Sequence, residues 1–252
     1  MIGRLIILFK IGRKLAQSEI LDIFSKFHKV PVLIKVLFYF LSFSIKKKNE
    51  VNYNIDDKER LSNSLQSMGT TFIKLGQFLA TRPDIIGNDL AQDLEKLQDK
   101  LPPFSFDKAK EILKNEVGEN QFSNILNISK PIAAASIAQV HLAKIKIKDK
   151  ENEVAIKILR PNIEKIFNEE LDALMLFAYI IEATLKMTRR LKLVEVVHLL
   201  REITNIEMDL RFEAAAANEY LENTKNDSGF HVPKIYWNYT CLLYTSDAAD
   251  ER

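Results

Sequence analysis

The residues with the clearest chemical potential lie in two short strings of this 252-residue chain, PIAAASIAQVH at 131–141 and EVAIKILRP at 153–161. In the second, Val154, Ile156 and Ile158 alternate with Ala155 and Lys157, the period of a half-buried strand. Lys157 therefore stands on the face away from the core, beside Ala155. An ammonium so placed suits the α- and β-phosphates of a nucleotide, provided a carboxylate holds it in position. Without such neighbours, an exposed strand lysine is the plainer account. The first string stands where a phosphate loop would, yet it offers Ala133, Ala134, Ala135 and Ser136 in place of glycines. Glycine permits positive φ and close backbone approach to phosphate, and alanine largely forbids the first. A stiff, tightly wound cover is expected, with Ser136 as its hydrogen-bonding side chain.

Candidate carboxylates follow in EMDLRFEAAAANEYLEN, inside a helical run from about Leu193 to Asn223. Asp209 and Glu213 are four apart and share a face, whereas Glu207 lies well round an ideal helix. All three reach one site only if the helix bends. Upstream, Leu61, Leu65, Met68, Phe72, Leu75 and Leu79 form one stripe, which predicts a single helix of five turns. Lys74 and Gln77 are neighbours on its flank. Gly69 and Gly76 inside it cost about 1 kcal/mol each relative to alanine, so close packing is expected there. Pro83 ends this helix at TRPD. A second helix carries Leu90, Leu94 and Leu97 and is ended by LPPF at 101–104. A third, FSFDKAKEILKNEVG, is capped at Ser105 or Asp107 and closed at Gly118. Strands Ala138–Ile147 and Glu153–Leu159 form a hairpin whose loop, KDKEN, has four to five residues. After RPN at 160–162 the helical period returns.

The net charge of +2 hides an asymmetry. Residues 1–48 hold ten Lys/Arg against Glu19 and Asp22, a balance of +8 that leaves −6 for the rest. Within that opening, VLIKVLFYFLSFSI at 32–45 includes Lys35 and spans about 21 Å as a helix, short of a hydrocarbon core of roughly 30 Å. An interfacial helix on an anionic membrane surface fits, with Lys46–Lys48 toward the headgroups. A buried core helix with a solvated lysine turn is the alternative. No basic stripe with interleaved aromatics marks the body, so nucleic acid is not an expected partner. The single Cys241 excludes a disulfide framework.

Four strings, GTTFIKLGQFLATRPDIIGNDLAQDLEKLQDKLPPF, PIAAASIAQVHLAKI, EVAIKILRP and EMDLRFEAAAAN, stand in this order over most of the chain. Together they resemble the UbiB family of atypical, protein-kinase-like proteins of ubiquinone biosynthesis. The resemblance implies an α+β fold, a kinase-like small lobe with a helical N-terminal extension, and the large lobe is expected to be absent because the chain stops about where it should begin. It implies ATP or ADP at Lys157, with Glu213 as its ion-pair partner. Lys74, Gly76 and Gln77 match the family's Lys-x-Gly-Gln motif on the extension over the nucleotide cleft, and Glu207 and Asp209 match the acidic pair facing it. Ala133, Ala134, Ala135 and Ser136 match its alanine-rich loop.

No Asp-Phe-Gly string occurs, and His28, His141, His198 and His231 introduce no catalytic-loop motif. The ligands for Mg2+ are therefore expected in a missing C-terminal half, and this chain is expected to be inactive. The ending CLLYTSDAADER resembles a read-through adapter and is set apart from the fold, a native acidic tail being the alternative. The expected organisation is a membrane-associating segment at 1–48, a helical extension at 49–127, a truncated kinase-like lobe at 128–240 and a non-native tail at 241–252. The expected setting is peripheral, on the cytoplasmic face of a bacterial inner membrane, with other ubiquinone-biosynthesis proteins as partners. The rival readings are a conventional protein kinase lobe and a non-enzymatic lipid-binding scaffold.

Overall fold

The computed structural model describes residues 9–14, 60–184, 186–227, 229, 231–240 and 244–247. The membrane-surface expectation for 32–45 lies outside the described residues. Among those described, no helix is long and apolar enough to cross a membrane. In chain order the elements are α1 (Arg60–Met68), α2 (Thr70–Ala80), α3 (Pro83–Ile86), α4 (Asn88–Glu95), α5 (Phe106–Phe122), β1 (Ile125–Leu126), β2 (Pro131–Ala134), β3 (Ala138–Ile147), β4 (Lys150–Leu159), α6 (Ile163–Thr184), α7 (Leu193–Met208), α8 (Leu210–Asn223) and β5 (Tyr244–Asp247). They fall into two compact units, Met1–Asp99 with Lys165–Arg201, and Lys100–Glu164 with Glu202–Arg252. This is the mixed helix-and-sheet class the sequence predicts.

In the first unit the five-turn helix is two helices. Gly69 takes φ 105°, and its carbonyl accepts from the N–H groups of Phe72 and Ile73 at 3.1 and 3.0 Å to start α2. The break rephases the stripe. Leu61, Leu65, Met68 and Phe72 are buried as expected, but Ile73 and Gly76 then take the inner face and leave Leu75 and Leu79 half-buried. Gly76 does mark a close approach, since a Cβ there would stand 2.9 Å from Leu65 Cδ1 and 3.2 Å from Leu97 Cδ1. Leu90, Leu94 and Leu97 are buried, yet α4 stops at Glu95, ahead of the prolines. Asp93 on α4 accepts from the Ser62 amide at 3.3 Å and hydroxyl at 3.1 Å, and burial pushes its carboxyl above the usual carboxylate range. Residues 9–14 are helical, and Lys14 Nζ donates to the Met68 carbonyl at 3.1 Å and to Glu170 Oε1 at 3.0 Å.

In the second unit Ser105 caps α5 by accepting from the Lys108 amide at 3.3 Å. Gly118, at φ 81°, interrupts that helix where closure was expected, and one further turn reaches Phe122. The antiparallel sheet runs β1-β3-β4-β5, with β2 also on β3. The hairpin corrects the sequence reading. Its ladder runs from Ala138↔Leu159 to Ile147↔Lys150, leaving Lys148 and Asp149, at φ 47° and 62°, as a two-residue turn. Positive φ at both positions is the type I′ geometry that matches strand twist, so most of KDKEN is strand. The tail set apart from the fold supplies β5 on the free edge of β4. Ala143, Ile145, Val154, Ile156 and Ile158 pack against Leu113 and Val117 of α5. Each large aliphatic side chain so buried contributes about 1.5–3 kcal/mol.

A polar chain crosses this unit. The Phe104 amide donates to Gln139 Oε1 at 3.0 Å, which turns Gln139 Nε2 toward His141 Nε2 at 2.9 Å. His141 Nδ1 must then carry the proton it donates to the Ser129 carbonyl at 2.9 Å. His141 is fully buried and stacks on Phe106 with ring centroids 5.8 Å apart. Burial lowers its pKa from the ordinary 6.5, against a smaller opposing effect of the Ser129 carbonyl.

Two outcomes follow from these contacts. Gly69→Ala should cost about 1–2 kcal/mol of unfolding free energy, because positive φ penalises a Cβ although nothing lies within 4 Å of it; an unchanged urea midpoint would contradict the break. The unfolded chain protonates at His141 before the folded one, so stability is full at neutral pH and falls as pH drops below the ordinary histidine pKa of 6.5. Denaturation from about pH 7.5 to about pH 5.5 should show this loss, and His141→Gln should flatten it; parallel slopes would refute the assignment.

Candidate functional site

Strand register decides which residues share a surface with Lys157. Val140 lies directly opposite Lys157, and Ala133 directly opposite Val140, so the three stand in one row across β2, β3 and β4. Cross-strand partners project to the same side. Leu142 and Ala155, paired in the next row, extend that surface. Leu142 and Ile132 are exposed. Immediately around Lys157 the outer face is thus small and apolar, while farther along it Lys144 and Lys146 stand opposite Glu153 and Glu151. Sequence alternation had placed Ala155 beside Lys157 but not Val140 or Leu142, because register is not written in either strand alone.

Lys157 Nζ donates to Glu213 Oε2 at 2.6 Å, with 25% and 48% of the two side chains exposed. A pair this wet adds at most about 1 kcal/mol to stability, so its main effect is positional. Glu213 reaches the lysine because the long helical run breaks. Asp209 leaves the helical region at φ −95°, ψ 90°, caps α8 by accepting from the Arg211 amide at 3.1 Å, and so puts Glu213 in the first turn. A carboxylate there also meets the favourable end of the helix dipole. The continuous helix from Leu193 to Asn223 is therefore corrected to α7 and α8. Asp209 is gripped by Arg211 through Nε at 2.7 Å and Nη2 at 2.6 Å. Those hydrogen bonds hold its carboxyl below the usual carboxylate range. Arg211 is a partner the sequence reading passed over, though it stands two residues away. Glu207 is half-buried in the last turn of α7.

The alanine run is mostly strand. Ala133 and Ala134 belong to β2, and only Ala135, Ser136 and Ile137 turn the chain. No residue from Pro131 to Ala138 has positive φ, so the turn is built in geometry that alanine tolerates. The Ala135 amide donates to the Ala138 carbonyl at 2.8 Å. Ser136, expected as a phosphate donor, is fully buried.

Lys74 and Gln77 lie on α2 of the first unit, where Lys74 Nζ is 3.9 Å from Asp99 Oδ2. That unit also holds a cavity of about 340 Å³ lined by Arg82, Asp84, Arg190, Lys192, Glu195 and Leu199. Two of its cations are matched in place, Arg82 by Asp84 at 2.7 Å and Lys192 by Glu195 at 3.0 Å. Among the described residues, no three His, Cys, Asp or Glu side chains gather to hold a metal ion.

Comparison with known proteins gives the family. Residues 96–242 match the ABC1 atypical kinase-like domain. The chain is 33% identical over 221 residues to a probable protein kinase UbiB of Marinobacter nauticus, covering 87% of this chain and 39% of that one. It is 36% identical over 181 residues to the corresponding protein of Azotobacter vinelandii, covering 71% and 33%. Against that of Pseudomonas aeruginosa it is 37% identical over 183 residues, again covering 71% and 33%. The chain thus spans between 33% and 39% of the length of these relatives. It belongs to the UbiB family of ABC1 atypical kinase-like proteins.

Proposed function

We propose that the chain is the nucleotide-binding part of an atypical kinase or ATPase, with ATP or ADP held on the outer face of the sheet. The observation that carries this reading is the Lys157–Glu213 pair at 2.6 Å beside the apolar Val140, Leu142 and Ala155. The ammonium meets the α- and β-phosphates while Glu213 limits its swing, and Val140, Leu142 and Ala155 give the base an apolar floor. Arg211 holds the Asp209 carboxylate charged and the break rigid. The alanine turn, without positive φ, restrains how closely the backbone approaches phosphate. When Mg2+ accompanies the nucleotide it neutralises phosphate charge.

The wider role is ATP hydrolysis in support of ubiquinone synthesis at an anionic membrane surface. Family membership supports the pathway, and the +8 balance of residues 1–48 supports the surface. The proposed setting is the cytoplasmic face of a bacterial inner membrane, beside other proteins of that pathway. Lys74 and Gln77, with Glu207 and Asp209, are proposed to govern access to the nucleotide. On its own the chain binds nucleotide without turnover, since it has no Asp-Phe-Gly string.

Calorimetric titration with ADP tests the site. Lys157→Ala should weaken binding roughly tenfold to a hundredfold, the range of a lost charge-assisted hydrogen bond, and Glu213→Gln should weaken it less. Ala135→Gly should tighten binding by relaxing the turn. Unchanged affinity in Lys157→Ala would sink the assignment, and sedimentation with anionic vesicles in the absence of any nucleotide binding would favour the lipid-binding scaffold.

A further inference from the structure

Arg160 follows β4 directly, three residues after Lys157, and its guanidinium converges on carbonyls from two distant parts of the chain. Nε and Nη2 both donate to the Ala135 carbonyl, at 3.1 and 2.8 Å. Nη2 also reaches the carbonyls of Pro102 at 3.0 Å and Leu101 at 3.3 Å. The Arg160 amide donates to the Ile137 carbonyl at 2.8 Å. Both sides of the turn Ala135–Ile137 are therefore tied to the end of the strand that carries Lys157. Segment 101–104 is held at a second point, where the Phe104 amide meets Gln139. Pro102 and Pro103 lack N–H groups, so between Leu101 and Phe104 the backbone offers only carbonyls for side chains to hold.

We propose that Arg160 is a positioning residue of the nucleotide site, a latch that holds the alanine turn closed and couples it to the Leu101–Pro102 segment. The inference rests on the reading of Lys157 as the nucleotide lysine. In the latched turn the Ala135 N–H is spent on the Ala138 carbonyl and Ser136 is buried, so neither is offered to phosphate. Releasing the Ala135 carbonyl frees the turn to open and present its amides. The segment the latch grips joins α4 to α5, so displacement there reaches the turn through one side chain. A lysine cannot reproduce this, because two nitrogens of a planar fork meet one carbonyl while the same fork reaches two more.

The test uses the full 252-residue chain, Arg160→Lys and Arg160→Gln, with two measurements: ADP affinity by calorimetry, and backbone hydrogen exchange over 131–140 against the control helix α5. Both variants should exchange faster over 131–140 alone and bind ADP roughly threefold to tenfold more tightly, the scale of one or two released hydrogen bonds. Unchanged exchange over 131–140 would overturn the latch. Faster exchange shared by α5 would show general destabilisation and also overturn it. Faster local exchange with unchanged or weaker ADP binding would overturn the positioning role. Failure of the wild-type chain to bind ADP would sink the nucleotide reading, and the role of Arg160 in it, while the exchange result separately decides whether the latch exists.

Discussion

An ammonium on the outer face of a β-sheet is useful to a phosphate only if it is held where the phosphate will arrive. Lys157 has four methylenes of freedom, and the Glu213 carboxylate at 2.6 Å gives it one partner to point at. Much of the second unit serves that contact. The buried face of β4, packed on α5, fixes the strand. The ladder with β3 sets the row in which Val140 and Ala133 stand. The break at Asp209, stabilised by its own cap and by Arg211, starts α8 at the point that brings Glu213 within reach.

The alanine turn is tied to the end of the same strand, through Arg160. Its backbone keeps to φ values open to any residue, and one of its amides is already bonded within the turn. A glycine-rich loop would move freely toward phosphate, whereas this one is wound tight and tied down. On the proposed reading, restraint of nucleotide binding would originate in this short, cross-bonded turn. The alanines are the sequence signature of that geometry rather than its sole cause.

How much of this was legible follows from what each signal measures. Alternation along β4 placed Lys157 opposite the core because period two is local to one strand. The four strings identified the family and named Glu213 as the partner. The hairpin turn was read too long because Lys148 is not a usual residue of positive φ, and Asp149, which tolerates it, stands in a uniformly polar run. Two helix breaks were invisible to periodicity for a shared reason. A single non-helical residue, Gly69 or Asp209, leaves the apolar spacing nearly intact on either side. Arg160 and Arg211 escaped notice because their partners are carbonyls and a capping carboxylate, positions that exist only once the chain has folded.

Backbone amide chemical-shift mapping of the chain during titration with ADP addresses the central claim most directly. The account predicts shifts concentrated at Ala133–Ser136, Val140, Ala155 and Lys157, on one face of the sheet, with Glu213 responding at the start of α8. Shifts confined to the cavity of Arg82, Arg190 and Lys192, or absent at saturating ADP, would contradict it.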